Sequence, residues 1–234
     1  MRLLRISLLS AVLAGASLAA GVSVPSDARA SVSIAVAYDA LVKDADSVGV
    51  VTPVEAKSVW EDGRIYTYTR VKVDQGVAGE LGTGTEGWVR TMGGVVGKIG
   101  QLVDGEPVFT TGKPSLVFMR KFKLSGTWEV SARAQGQYPV LVDSNVSDSA
   151  KARRVVRSAA VGVLFPPRSA ALAPAEQPGA VTTQSVQTPT VATETGKMRL
   201  ASEVLHDRPL DDVTREIAAS WKKLHAPAPS DTKK

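Results

Sequence analysis

The sequence of 234 residues contains no cysteine and only two histidines. The absence of cysteine excludes disulfide frameworks, thiolate metal sites, cysteine nucleophiles and a lipidated N-terminal cysteine. Both histidines, His206 and His225, lie close to the C-terminus. A Ser-His-Asp triad or a histidine-based zinc site in the body of the chain is therefore excluded, and we expect no metal and no cofactor.

The formal net charge of +5 is unevenly distributed along the chain. Residues 31–143 hold 12 basic and 13 acidic side chains, whereas residues 144–234 hold 13 and 9. The basic excess therefore belongs to the ends of the chain and not to its central part. This distribution argues against nucleic acid as a partner, since a nucleic-acid-binding domain concentrates its basic charge.

Long hydrophobic runs are absent after the first twenty residues. Met1–Arg5 carries two positive charges, Ile6–Ala20 carries none, and Ala28-Arg29-Ala30 has the small residues of a cleavage site. This pattern predicts a secretory signal peptide over residues 1–30, because the apolar run is shorter than the roughly 20 residues of a spanning helix. We expect an exported protein, periplasmic or secreted, with no transmembrane segment in the mature chain.

Short β-rich segments separated by turn residues occupy most of residues 47–142. Two of them flank Asp62-Gly63, which is a strong hairpin signal, and Ile65–Val73 alternates in polarity. Further strands are predicted near residues 86–92, 114–122, 128–132 and 138–142. The pattern predicts a mainly β fold, a small antiparallel barrel or sandwich. The large core candidates are Trp60, Trp88, Phe109, Phe118, Trp128 and Tyr138.

Helices are predicted only at the flanks of this β region. Tyr38–Ala45 is a short N-terminal candidate, and Ser149–Val163 could pack on the barrel through Val155, Val156 and Ala159. Pro166–Gly196 is rich in proline and small polar residues and is predicted to be a disordered linker. The expected organisation is a signal peptide (1–30), a β-barrel domain with flanking helices (31–165), the linker (166–196) and a tail (197–234).

The tail contains an amphipathic helix at about residues 209–224. It opens with proline and two aspartates and closes with two lysines, which matches the helix dipole. Its apolar stripe consists of Leu210, Val213, Ile217, Trp221 and Leu224. An isolated helix of this length is marginal in water, so the stripe needs a surface. We expect it to dock on a partner protein, with packing on its own barrel as the alternative.

The alternating strand offers two opposite faces. One face carries Ile65, Thr67, Thr69, Val71 and Val73. The other carries Tyr66, Tyr68, Arg70 and Lys72, and Trp88 and Arg90 of the next strand extend it. The favoured interpretation places the rings inside the barrel and the threonines in water. In the other interpretation the six residues form a ligand-binding surface for sugars, single-stranded nucleic acid or peptides.

Acidic side chains occur in adjacent pairs that could suggest acid–base catalysis. The pairs are Asp44/Asp46, Glu61/Asp62 and Asp104/Glu106. Each lies beside a turn or a helix end, where carboxylates are well solvated, whereas glycoside hydrolysis needs one carboxyl in an environment that raises its pKa. We therefore assign no catalytic residue.

Several segments resemble a type of uncharacterised exported bacterial domain. They are IYTYTRVKVDQGVAGE, the following Gly-Gly element, VDGEPVFTTGKPSLVFMRK and WEVSARAQGQYPV. The resemblance covers about residues 40–143 and implies a small OB-like barrel with no assigned catalytic residues. The chain is also similar to netrin-type inhibitor domains in the strand that closes the barrel. It differs from them in having Lys113 in place of an acid and no cysteine.

These observations together predict a non-enzymatic binding or protein-interaction module of the bacterial cell envelope. The expected partner is an envelope protein or a polysaccharide. The alternative is an accessory domain of an envelope hydrolase system, or a hydrolase that depends on carboxylates.

Overall fold

A computed structural model describes residues 32–122, 125–143, 146, 152–167 and 198–226. The predicted signal peptide and nearly all of the predicted linker lie outside the described residues. The strands are β1 (Val32–Ile34), β2 (Ser47–Glu61), β3 (Arg64–Gly79), β4 (Glu86–Met92), β5 (Gly94–Val96), β6 (Ile99–Gln101), β7 (Ser115–Lys121), β8 (Trp128–Val130), β9 (Gln137–Val142), β10 (Arg153–Val155), β11 (Val163–Phe165) and β12 (Arg208–Pro209). The helices are α1 (Tyr38–Asp44), α2 (Ala201–Leu205) and α3 (Leu210–Leu224), with 3-10 turns at Arg133–Gly136 and Ala159–Val161.

Five strands close into a barrel in the order β7-β2-β3-β4-β8, and β8 returns to pair with β7. All neighbours are antiparallel except β4 and β8, which pair in parallel at Val89 and Trp128. This closed barrel confirms the predicted mainly β, OB-like fold with a short N-terminal helix and a C-terminal amphipathic helix. Beyond β7 the sheet continues through β9, β10 and β12.

The hairpin of β2 and β3 is the longest feature of the barrel. Its turn residues Asp62 and Gly63 have φ angles of 48° and 75°, as two-residue hairpin turns favour. Shifts in register after Val48, Val50 and Pro53 mark irregularities that bend β2. Only the first part of β2 pairs with β7, so the end of the hairpin extends past that contact.

Two apolar cores lie on either side of β7, whose central residues are buried on both faces. Val117 and Met119 point into the barrel, whereas Leu116 and Phe118 point toward the helices. The barrel core consists of Val51, Val71, Val73, Val89, Val117, Met119, Trp128 and Val130. Because both faces of β7 are covered, its sequence is a continuous apolar run and does not alternate in polarity.

The second core receives the C-terminal helix. Leu210, Val213 and Ile217 are fully buried against α1 and the sheet, and Trp221 and Leu224 pack against the same cluster. This corrects the expectation that the stripe docks on a partner protein. The surface that the stripe required is the protein's own, because α1 and the outer side of β2 and β7 present apolar side chains.

The predicted helix at residues 149–163 is also corrected. Arg153–Val155 forms β10, which pairs with both β9 and β12, and Ala159–Val161 is a 3-10 turn followed by β11. Ladder hydrogen bonds to two neighbouring strands outweigh the helical pattern of the sequence. Residues 149–151 of that prediction lie outside the described part of the chain. Among the described helices, none has the length and apolar character needed to cross a membrane.

The predicted core residues divide into two groups. Phe118, Trp128 and Tyr138 are buried, and Phe109 packs partly against the barrel core. Trp60 and Trp88 are not core residues, since 49% and 38% of their surfaces are exposed. Their exposure has geometric causes, which are the extension of the hairpin beyond β7 and the outward direction of alternate residues on β4.

Candidate ligand-binding face

The burial pattern of β3 decides which of its faces is outside. Ile65, Val71 and Val73 are fully buried, and Thr69 is nearly so. The favoured interpretation, in which the tyrosine rings fill the barrel, is therefore wrong. Branched aliphatic side chains fill this small barrel, so the rings lie on its outer surface.

Cross-strand register brings the six predicted residues together. Tyr68 lies opposite Arg90, and Arg70 lies opposite Trp88. We call this outer surface the β3/β4 face, formed by Tyr66, Tyr68, Arg70, Lys72, Trp88 and Arg90. Its side chains are close enough to interact across the strands.

Arg90 is the centre of the β3/β4 face. Its guanidinium carbon lies 3.5 Å from the centroid of the Tyr66 ring and 4.8 Å from that of Phe122. Only 13% of its side chain is exposed. These are cation–π contacts in a partly desolvated position, which hold the guanidinium plane in a fixed place.

Two carboxylates fix the remaining donors of Arg90. Its Nη2 lies 2.9 Å from Glu61 Oε2, and its Nη1 lies 3.1 Å from Glu129 Oε1. The Tyr68 hydroxyl donates to the other oxygen of Glu61 at 2.5 Å. Sequence reasoning considered Glu61 only as a partner of its neighbour and missed Glu129. No local signal reveals Glu129, because β8 meets β4 through a long-range parallel contact.

The titration of this cluster follows from its hydrogen bonds. The hydroxyl of Tyr68 lowers the pKa of Glu61, and Arg90 lowers it further. Burial and the hydrogen bond to Glu61 raise the pKa of Tyr68. For Arg90, burial alone lowers the pKa, but hydrogen bonds with Glu61 and the two tyrosines raise it overall. Glu61, Tyr68 and Arg90 therefore each keep one protonation state around neutral pH, which suits a fixed recognition surface better than proton transfer.

Arg70 repeats the same arrangement further along β3. Its Nε lies 2.8 Å from Glu55, and its Nη1 lies 2.8 Å from Glu86. Both guanidiniums of the face are thus bridged by two carboxylates each. Trp88, by contrast, leaves more than a third of its surface in solvent and is available for stacking.

A cavity of 150 Å³ adjoins the face where β4 and β8 diverge. The two strands pair at a single position, so the Met92 N–H donates to the Glu106 carboxylate at 3.0 Å and not to a strand. The other oxygen of Glu106 lies 3.2 Å from Arg133 Nε. Glu129 and Arg120 also line this cavity. It is a polar cleft in which Glu106 and Glu129 each lie beside an arginine.

Within the described ranges, no group of three or more acidic, histidine or cysteine side chains could hold a metal ion. Comparisons of the chain with protein families, curated proteins and solved structures found no match. The function is therefore inferred from the geometry of the β3/β4 face.

Proposed function

We propose that this protein is an exported, non-enzymatic binding module of the bacterial cell envelope, and that its ligand contacts the β3/β4 face. The observation that carries this proposal is the outward placement of Tyr66, Tyr68 and Trp88. They lie on the second and third strands of the barrel, between the β2–β3 turn and the β7–β8 connection. In OB-type barrels this is the surface that binds oligosaccharides and oligonucleotides. The signal-like N-terminus supports export.

Charge pairing favours a polysaccharide over a polyanion. A nucleic acid gains most of its affinity from cations that neutralise phosphates. Arg70 and Arg90 are already neutralised, and the four carboxylates that bridge them would repel phosphate. Planar polar groups in fixed positions beside aromatic rings suit the hydroxyl groups and apolar ring faces of a sugar.

The alternative of a carboxylate-dependent hydrolase has one observation in its favour, since Glu106 and Glu129 line the same cavity. Each of them, however, contacts an arginine, at 3.2 Å and 3.1 Å. A general acid of a glycosidase lies in apolar surroundings, whereas both of these carboxylates lie against guanidinium groups. The cavity therefore supports binding better than hydrolysis.

Two exposed tryptophans provide a matched test. Trp88→Ala removes a ring from the β3/β4 face. Trp60→Ala removes another exposed ring, which lies opposite Ile65 on the other side of the hairpin. We expect Trp88→Ala to weaken binding to a fractionated envelope polysaccharide by about five- to one-hundredfold, the range for a stacked aromatic contact. Trp60→Ala should bind like the wild type.

Two results would contradict the proposal. One is equal affinity of the Trp88→Ala and Trp60→Ala variants for the polysaccharide, which would show that the ligand does not contact the β3/β4 face. The other is preferential, salt-sensitive binding of single-stranded DNA, which would identify a polyanion ligand. The export part is tested separately by N-terminal sequencing of protein produced from the full chain, for which we expect a mature start at Ser31.

A further inference from the structure

A second concave region lies between α1 and the turn at Ala132 and Arg133. One cavity of 430 Å³ there is lined by Val36, Ala40, Ala132 and both Arg120 and Arg133. A cavity of 550 Å³ shares Val36, Ala40, Ala132 and Arg133 with it and continues past Ile34. Arg133 also lines the cavity of 150 Å³ beside β4. We call the two larger cavities together the α1 groove. Their volumes are typical of small-molecule sites.

Small side chains line the walls of the α1 groove, and the backbone groups of the adjoining segment have hydrogen-bond partners. The walls are therefore mainly apolar. Ala40 and Ala132 leave space where larger residues would fill it. The Val36 N–H donates to Gln135 Oε1 at 2.9 Å, and Gln135 Nε2 donates to the Ile34 carbonyl at 2.9 Å. The segment that leads into α1 therefore presents side chains to the groove with its backbone groups already bonded.

The side chains of Arg120 and Arg133 both line the 430 Å³ cavity of the groove, and their guanidiniums retain donors for a ligand. The carboxylate oxygens nearest to Arg120 belong to Glu129 and Asp44, at 3.7 Å and 3.9 Å, which is beyond hydrogen-bond distance. Half of the Arg120 side chain is exposed, and 58% of that of Arg133. Among the described residues the guanidinium of Arg120 has no hydrogen-bond partner, in clear contrast to that of Arg90.

The nearby acids do not cancel this capacity. Glu129 is bound to Arg90, and Glu106 accepts the Met92 N–H as well as facing Arg133. Asp44 is half exposed and only loosely paired with Arg120. Asp104 lines the 550 Å³ cavity, which Arg133 also lines and Arg120 does not. A ligand carboxylate could replace Asp44 beside Arg120 and gain the fork-shaped contact that arginine offers.

The backbone at the turn provides independent support. Ala132 and Arg133 have φ angles of 54° and 53°, two consecutive left-handed residues that are not glycine. Such conformations are unfavourable and concentrate at ligand clamps and active sites. The turn is held by the Ser131 N–H on the Phe118 carbonyl and by the Ala134 N–H on the Gly105 carbonyl, each at 2.9 Å. This geometry keeps Arg133 at the junction of all three cavities.

We propose that the α1 groove binds a fatty acid, with its carboxylate between Arg120 and Arg133 and its aliphatic chain along Val36, Ala40 and Ala132. The apolar walls contact the aliphatic chain of the ligand, and the guanidiniums of Arg120 and Arg133 bind its carboxylate. This site is separate from the β3/β4 face and does not depend on the function proposed for that face.

The test uses the mature chain and dodecanoate, with dodecanol as the neutral analogue and dodecyltrimethylammonium as the cationic one, measured by calorimetry. We expect dodecanoate to bind at least about tenfold more tightly than dodecanol, because charge-assisted hydrogen bonds are the stronger class. Arg120→Gln/Arg133→Gln should abolish that preference. Ala40→Trp, a change at an exposed position of α1, should block both ligands. Arg215→Gln, on an exposed part of α3, is the control and should change neither.

Several outcomes would overturn the proposal. They are the absence of dodecanoate binding by folded protein, equal affinity for dodecanol and dodecanoate, and tighter binding of the cationic analogue. A dimer in solution that Ala40→Trp dissociates, without dodecanoate binding, would assign the groove to a second copy of the chain. Trp88→Ala should leave dodecanoate affinity unchanged, so the two proposed sites can fail independently.

Discussion

Replacing Ile217 with alanine tests whether α3 belongs to the folded core. Ile217 has no exposed surface and lies in the cluster that includes Tyr38, Leu41 and Phe118. The substitution removes three buried carbon groups, at about 0.8 kcal/mol each, for a transfer cost of about 2.4 kcal/mol. The cavity left behind adds to this, so we expect a loss of about 3–4 kcal/mol in the free energy of unfolding.

The measurements are urea denaturation, which gives the free energy of unfolding, and thermal denaturation, which gives the melting temperature. Both are followed by tryptophan fluorescence for the whole protein and by far-ultraviolet circular dichroism for the helices. A loss of that size should lower the melting temperature of a chain of this length by about 6 to 16 °C. Lys222→Ala, on the exposed side of the same helix, should change stability by less than about 0.5 kcal/mol. If Ile217→Ala also costs less than this, or if the helix signal is lost well before the barrel signal, α3 is not part of the core.

Two further predictions concern the barrel itself. Gly79 and Gly84 have nearly the same φ, 81° and 84°, but an added Cβ would lie 2.2 Å from the Asp46 carbonyl at Gly79 and in open space at Gly84. Gly79→Ala should therefore lower the melting temperature far more than Gly84→Ala. The lowered pKa of Glu61 means that its stabilising contribution is present above its unfolded value of about 4.3 and is lost as the pH falls through the folded pKa. The stability difference between wild type and Glu61→Gln should therefore be largest above about pH 5 and shrink at lower pH, as urea titrations across that range would show.

Local patterns in the sequence predicted much of the barrel. The Asp62-Gly63 turn, the alternation of Ile65–Val73 and the apolar centre of β7 each depend on neighbours in the chain. These local patterns do not decide which face of β3 is buried, because threonine and tyrosine are both common on either side of a strand. That choice depends on how tightly the barrel closes, a property of all five strands.

Long-range contacts explain the other differences. The Arg90 cluster joins a hairpin turn to β8, and no spacing in the sequence connects Glu61 with Glu129. Similarly, β10 is a strand because β12 lies beside it, although the two are separated by more than fifty residues. The amphipathic stripe of α3 was visible, but amphipathicity shows that a surface is needed and does not identify which one.

The pairing of early and late segments has a consequence for the order of folding. The Tyr38 N–H donates to the Arg199 carbonyl at 2.9 Å, and the Ala201 N–H donates to the Val36 carbonyl at 3.0 Å. The barrel strands are complete once β8 has been synthesised, but the partner of α1 emerges among the last residues. Because the chain emerges N-terminus first, α1 and its side of β7 remain without their cover until residues 198–226 have emerged. Contacts this distant in sequence form slowly, so the final closing step sets how long apolar surface stays open to proteases and to aggregation.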